Sequence, residues 1–197
     1  MNIRKNLEKH LKESIKVKRL LLDLCMDDVE RVAKMLIETY WKYGGTVYLM
    51  GNGGSSCDAQ HFAEELISAF ETRERWSLPA RVLSDNGAVI TAIGNDFGFE
   101  NIFSRQIEGA VGPGDLVIAL STSGNSENVL RAVRVAKERG ARVVGFTGKD
   151  GGLLAHEVDV AIIVPSRSTA HIQECHITIA HAICDLLDKS FFSDNEE

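Results

Sequence analysis

Apolar residues recur at helical spacing through the first forty positions and then give way to short, dense runs. Leu7, Leu11, Ile15, Leu20, Leu21, Leu22 and Leu24 fall near a 3.6-residue period, with Lys, Glu and Arg between them. Val29, Val32, Ala33, Leu36, Ile37 and Tyr40 make a second stripe, from Asp28 to Tyr43. Asp27 or Asp28 can cap this second helix, and Gly44-Gly45 ends it. Faces this wide need cover, from the back of the same domain or from a partner. From Thr46 onward strand and helix patterns alternate. Strands are predicted near 46–50, 80–83, 115–120, 142–147 and 160–164, and helices near 55–70, 87–93, 99–110, 126–139 and 170–191. That rhythm predicts a parallel sheet with right-handed crossovers. Gly140 closes one helix, and Gly148 with Gly151-Gly152 breaks the chain after a strand. The acidic tail, Ser193-Asp-Asn-Glu-Glu197, is expected to fray.

Two of the apolar runs end in similar loops. Thr46-Val-Tyr-Leu-Met-Gly-Asn-Gly-Gly-Ser-Ser56 and Asp115-Leu-Val-Ile-Ala-Leu-Ser-Thr-Ser-Gly-Asn-Ser126 each pass from a Val/Ile/Leu stretch through Gly, Ser and Asn into a helix. This order gathers free N–H groups, hydroxyls and the positive end of a helix dipole at one point, as a phosphate monoester requires. Ser121, Thr122, Ser123 and Ser126 surround Gly124, and Asn52, Gly53, Gly54 and Ser55 form the other loop. No Lys follows the glycines and neither loop reads Gly-x-Gly-x-x-Gly, which argues against nucleoside triphosphates and dinucleotides. Turn formation alone is the competing explanation.

Ionisable residues follow these loops. His61 and Glu65 are four apart on the helix that opens at the first loop, so they share a face. An imidazole beside a carboxylate suits a divalent metal such as zinc or a positioned general base; a routine surface pair is the alternative. The C-terminal helix carries Gln173, Glu174, His176 and His181 among Ile172, Ile177, Ile179, Ile183, Leu186 and Leu187. Gln173 and His181 lie about 80° apart round the helix and about 12 Å along it, so one ion reaches both only if their side chains converge. His176 is better explained as a core histidine satisfied by a backbone carbonyl. Asn95-Asp96 read as a polar turn after a short apolar helix; Asp96 could hold a sugar hydroxyl or cap a helix starting near Phe99.

Composition narrows the classes. At 197 residues the chain suits one domain with a substantial core. A net charge of −6 without a Lys/Arg block speaks against a broad nucleic-acid surface. No apolar run approaches the ~20 residues of a membrane span, and the N-terminus lacks the apolar core of a secretory signal. Cys25, Cys57, Cys175 and Cys184 show no paired spacing, which fits the reduced thiols of a cytosolic protein.

Taken together, Gly51-Asn-Gly-Gly-Ser-Ser-Cys-Asp-Ala-Gln-His-Phe-Ala-Glu-Glu65, Gly94-Asn-Asp-Phe-Gly-Phe99, Ser121-Thr-Ser-Gly-Asn-Ser126, Phe146-Thr-Gly-Lys-Asp-Gly-Gly152 and Ile172-Gln-Glu-Cys-His176 with His181 resemble the bacterial phosphoheptose isomerases of the sugar isomerase (SIS) domain family. The resemblance covers essentially the whole chain, with several segments matching in order and spacing. It implies an α/β fold: one SIS domain over 1–197, with a helical hairpin at 1–45 and, at 46–192, a doubly wound five-stranded parallel sheet flanked by helices and closed by the C-terminal helix. It implies conversion of sedoheptulose 7-phosphate to D-glycero-D-manno-heptose 7-phosphate, the first step toward the heptose of lipopolysaccharide core and other surface glycans. A homotetramer with active sites between subunits is implied as well. By the same resemblance Ser121, Thr122, Ser123 and Ser126 hold the phosphate, and Asn52, Gly53, Gly54, Ser55, Asn95, Asp96 and Gln173 surround the sugar. His61, Glu65, Gln173 and His181 match the zinc positions, one ion per subunit, and Glu65 and His181 the acid/base pair.

The chemistry agrees. Moving a proton between adjacent carbons through an enediol needs a base and an acid on one substrate. A carboxylate and a histidine supply them, a metal ion can steady the enediolate, and phosphate loops give binding energy remote from the reacting carbons. Two departures bear on substrate contacts: Ala69 stands where several relatives carry arginine, and Ala170-His171 replaces an acidic–basic pair. The rival reading is a non-enzymatic SIS-fold tetramer resembling the DnaA initiator-associating protein. Those relatives lack equivalents of Glu65 and His181, and this chain has both.

Overall fold

The computed structural model describes residues 1–192, so the acidic tail lies outside the described residues. Its elements are α1 (Ile3–Leu24), α2 (Met26–Trp41), β1 (Val47–Gly51), α3 (Gly54–Ile67), β2 (Ala80–Val82), α4 (Gly87–Phe97), α5 (Ser104–Ala110), β3 (Leu116–Leu120), α6 (Glu127–Glu138), β4 (Arg142–Gly148), α7 (Leu154–Glu157), β5 (Val160–Val164) and α8 (Thr169–Phe192), with a 3-10 turn at Phe99–Asn101. The five strands form one sheet in the order β2-β1-β3-β4-β5, and every neighbouring pair is parallel.

Helices cover both faces, which is why the strands read as unbroken apolar runs. On one face Val47, Leu49, Ile118, Val144, Phe146 and Ile162 pack against α1, α2, α3 and α8. On the other Tyr48, Met50, Val117, Ala119 and Val143 pack against α5, α6 and α7. The N-terminal hairpin is therefore part of the domain, with Val17, Leu21, Val32 and Leu36 in the core. The outer side of α1 still presents Ile3, Leu7, Leu11 and Ile15 to solvent.

Three local expectations change. Neither Asp27 nor Asp28 caps α2: the cap position is Cys25, which makes no side-chain cap bond, and both aspartates sit in the first helical turn, where the dipole favours them. Asn95-Asp96 are not a turn; α4 runs on through Phe97, and the Asn95 amide donates to Asp96 Oδ1 at 2.7 Å. Asp96 thus caps nothing at Phe99, where Gly98 holds the cap position at φ +90°. The helix expected over 99–110 breaks into the 3-10 turn and α5.

The strand order places the site. β1 connects outward to β2 on one side while β3 lies on its other side, so the chain reverses direction between β1 and β3. Ligands on open parallel sheets bind at such a reversal, beyond the carboxyl ends of the strands. Gly51 pairs in register with Leu120, which sets the two Gly/Ser loops side by side at that point.

Candidate active site

Each loop opens a helix whose first-turn amides have no side-chain cap. Gly53 occupies the cap position of α3 at φ +54°, and Ser126 that of α6; neither makes a capping bond. By contrast Asn2 and Asn86 do cap α1 and α4. The Ser126 hydroxyl instead lies 3.1 Å from the Ser121 hydroxyl. The Ser55 and Ser56 amides donate to the carbonyls of Asn52 and Gly53, and the Val129 amide to that of Ser126; the remaining first-turn amides and the positive ends of two adjacent helices make an anion-binding corner.

Two features hold that corner in shape. Asn52 and Asn128 exchange reciprocal amide hydrogen bonds, both 2.9 Å, tying the first loop to α6. Gly124, at φ +66°, rests against the turn after β4, where a Cβ would come 2.0 Å from the Gly151 carbonyl oxygen. The Gly124 carbonyl accepts from the Leu154 amide at 2.9 Å. Ser121 is buried and Thr122, Ser123 and Ser126 half-buried at the opening, whereas Ser55 is buried against Gly51.

The ionisable residues meet farther along α3, which packs on α8. His61 Nε2 is 3.3 Å from Glu65 Oε1, His181 Nε2 is 3.9 Å from the same oxygen, and the two imidazole nitrogens are 3.4 Å apart. Two donors about 2.1 Å from one tetrahedral ion stand about 3.4 Å apart, so these gaps fit a shared zinc. Glu65 is mostly buried while both histidines are partly exposed. Phe70 stacks near His181, with ring centroids 5.6 Å apart.

Gln173 does not join this trio. Its amide packs on Gly54, where a Cβ would come 2.4 Å from Gln173 Nε2, which ties it to the first loop. Asn95 and Asp96 are exposed on the last turn of α4 and make no hydrogen bond to either loop among the described residues. Ala69 lies in the irregular segment after α3, and Ala170-His171 in the first turn of α8.

His176 is a core residue: its Nε2 faces the Thr147 carbonyl at 3.1 Å, and burial pushes its pKa down to about 4. Its ring stays neutral in the folded chain while the unfolded chain binds a proton below about 6.5. Stability is therefore expected to fall as pH drops from about 6.5 toward 4, by roughly 3 kcal/mol for this group. Denaturant unfolding across that range should show His176→Leu losing part of the acid slope; an identical slope in both proteins rules the histidine out as its source.

Asp58 and Asn128 gave no signal in the sequence. Asp58 sits one turn before His61 on α3; burial raises its carboxyl to about 6 against a smaller opposing pull from His61, and its Oδ2 has no hydrogen-bond partner. Burial also raises the thiols of Cys175, to about 11, and of Cys25 and Cys184, which leaves them poor nucleophiles.

Comparison with known proteins agrees with this geometry. The SIS domain family model matches residues 10–148. The phosphoheptose isomerase of Trichlorobacter lovleyi is 51% identical over 164 residues, 83% of each chain. Among solved structures, the phosphoheptose isomerase of Neisseria gonorrhoeae superimposes with a TM-score of 0.90 at 37% identity, over 95% of this chain and 100% of its own. That of Francisella tularensis superimposes at 0.91 and 35% identity, over 96% and 100%.

Proposed function

This chain belongs to the SIS domain family and, within it, to the phosphoheptose isomerases, and from that membership we propose how it acts as a sugar-phosphate isomerase. The reaction is interconversion of sedoheptulose 7-phosphate and D-glycero-D-manno-heptose 7-phosphate, an early step in heptose supply for surface glycans. The observation that carries the reading is the meeting of His181 with His61 and Glu65 on a helix, α3, whose other end forms half of an uncapped double-helix corner.

Ser121, Thr122, Ser123 and Ser126 grip the phosphate with the first-turn amides of α6. Asn52, Gly53, Gly54, Ser55 and Gln173 line the sugar side, with Asn95 and Asp96 the outlying members. Glu65 takes a proton from C1 of the ketose while His181 gives one to the C2 oxygen; Glu65 then returns the proton to C2 of the enediol as His181 takes the proton from the C1 hydroxyl, which leaves an aldehyde at C1. His61, Glu65 and His181 are the residues that would hold zinc, while Gln173, the fourth position the resemblance implies, packs on Gly54 instead; when bound the ion would polarise the carbonyl and stabilise negative charge on the enediolate. Three convergent donors suit a catalytic site, which keeps a position open, more than a closed structural one.

Distance supports a site shared between subunits. Glu65 lies eleven residues beyond Gly54 on α3, about 16 Å along the axis. An extended seven-carbon phosphate reaches roughly 10 Å, too short to join the phosphate corner and Glu65 of one chain. The apolar stripe Ile3, Leu7, Leu11 and Ile15 offers surface for such an assembly. A homotetramer is the expected state, and sedimentation equilibrium returning the mass of one chain removes this part of the reading. The four free thiols and the lack, among the described residues, of a helix fit to cross a membrane favour the cytoplasm, which cell fractionation checks.

Purified protein given zinc and sedoheptulose 7-phosphate should yield the aldoheptose phosphate, followed by NMR, and a chelator should suppress the yield. Absence of aldose product with zinc present sinks the reaction assignment.

A further inference from the structure

A second set of ligating side chains lies outside this site, where α1 packs on the start of α8. His10, from the middle of α1, meets His171 and Glu174, one turn apart on α8. His10 Nε2 is 3.5 Å from Glu174 Oε1, and His171 Nδ1 is 3.6 Å from Glu174 Oε2. One ligand atom from each residue lies within 4.8 Å of the others.

These gaps are long for hydrogen bonds, which centre near 2.9 Å for nitrogen and oxygen. They match the ~3.4 Å separation of two donors held by one ion at about 2.1 Å. His171 is 5% exposed, and its Nδ1 is buried without a hydrogen-bond partner. A buried nitrogen left so, aimed at a carboxylate beyond bonding distance, points to a ligand between them. The neighbouring groups are those that orient metal ligands: Glu13 Oε2 stands 3.9 Å from the far nitrogen of His171, and the Ser14 hydroxyl donates to Glu174 Oε2.

We propose that His10, His171 and Glu174 form a second cation site, distinct from the α3–α8 trio, that takes a divalent transition ion of the zinc class. Two imidazoles and one carboxylate select zinc, cobalt, nickel or copper over magnesium and calcium, which prefer all-oxygen shells. The ion ties α1 to the first turn of α8. Because Gln173 lies between two of the ligands in sequence and packs on Gly54, occupancy steadies a residue on the sugar side of the active site.

The test is zinc content after dialysis against buffered zinc, measured by elemental analysis on four proteins. Wild type is expected to hold about two equivalents per chain, His10→Gln about one, His61→Ala about one, and the double variant about none. His10 is half exposed, so its loss should not disturb the core. Zinc should raise the melting temperature of His61→Ala and no longer raise it once His10→Gln is added. A wild type holding one equivalent that His61→Ala removes overturns the proposal. So does a second equivalent that survives both His10→Gln and His171→Gln.

Discussion

Glu65→Gln is expected to lower turnover at least about 10³-fold while binding of phosphate-bearing ligands changes little. The amide keeps the size of the carboxylate but cannot take the proton from C1, and general acid–base groups of this kind contribute roughly 10²–10⁴-fold. It also removes the charge that faces both His61 and His181, so metal affinity falls with it. The phosphate corner stands at the other end of α3, about 16 Å away by helical rise, and keeps its hydroxyls and amides. Steady-state rates with a competitive phosphate inhibitor separate the two effects. Near-normal turnover removes Glu65 from the role of base, and lost inhibitor binding shows that the substitution damaged more than the chemistry. Mixing gives a sharper test: assemblies of Glu65→Gln with Ser123→Ala chains should regain activity, because some shared sites then receive both intact halves. No regain returns both halves to one chain.

How much of this was legible depended on range. Buried parallel strands are dense in Val, Ile and Leu, so all five predicted strands lie within a residue or so of the observed ones. His61 and Glu65 were readable as a pair because helical spacing fixes their relation, and the sugar-isomerase resemblance brought His181 to them. Contacts across the fold left no local trace. The Asn52–Asn128 pair joins residues 76 apart, and His10 meets α8 only because α1 folds back on it. Gln173 and His181 share one side of α8, but only the structure shows Gln173 turned to Gly54. α7 spans four residues, too few for periodicity to appear. The cap of α2 and the chain at Asn95-Asp96 depart from expectation for one cause: polar residues commonly mark helix boundaries, and here they sit within a helical turn.

The same long-range logic governs the other large effect, at a pair the sequence left unmarked. Arg75 Nε and Asp188 Oδ1 form a 2.7 Å ion pair in which both side chains are almost fully buried. Asp188 Oδ2 accepts the backbone amides of Glu71 and Thr72, 2.9 Å each, and the Arg75 guanidinium donates to the carbonyls of Leu66, Trp76 and Glu65. The pair therefore fastens the segment after α3 to the end of α8 and closes the carbonyl end of the helix that carries Glu65. Removing one partner leaves a buried charge uncompensated, which costs about 3–5 kcal/mol. Asp188→Leu should accordingly lower the melting temperature by roughly 6–20 °C in a chain of this size. Arg75→Met should cost a similar amount. The double variant should recover part of the loss, since a packed apolar pair leaves no charge stranded. Additive losses in the double variant, or an Asp188→Leu protein that melts with wild type, discard the clamp. Because the guanidinium also holds the Glu65 carbonyl, each single variant should lose kcat well below its melting temperature, with KM little changed. Full kcat in a destabilised Asp188→Leu would show that the pair holds the fold without positioning the base.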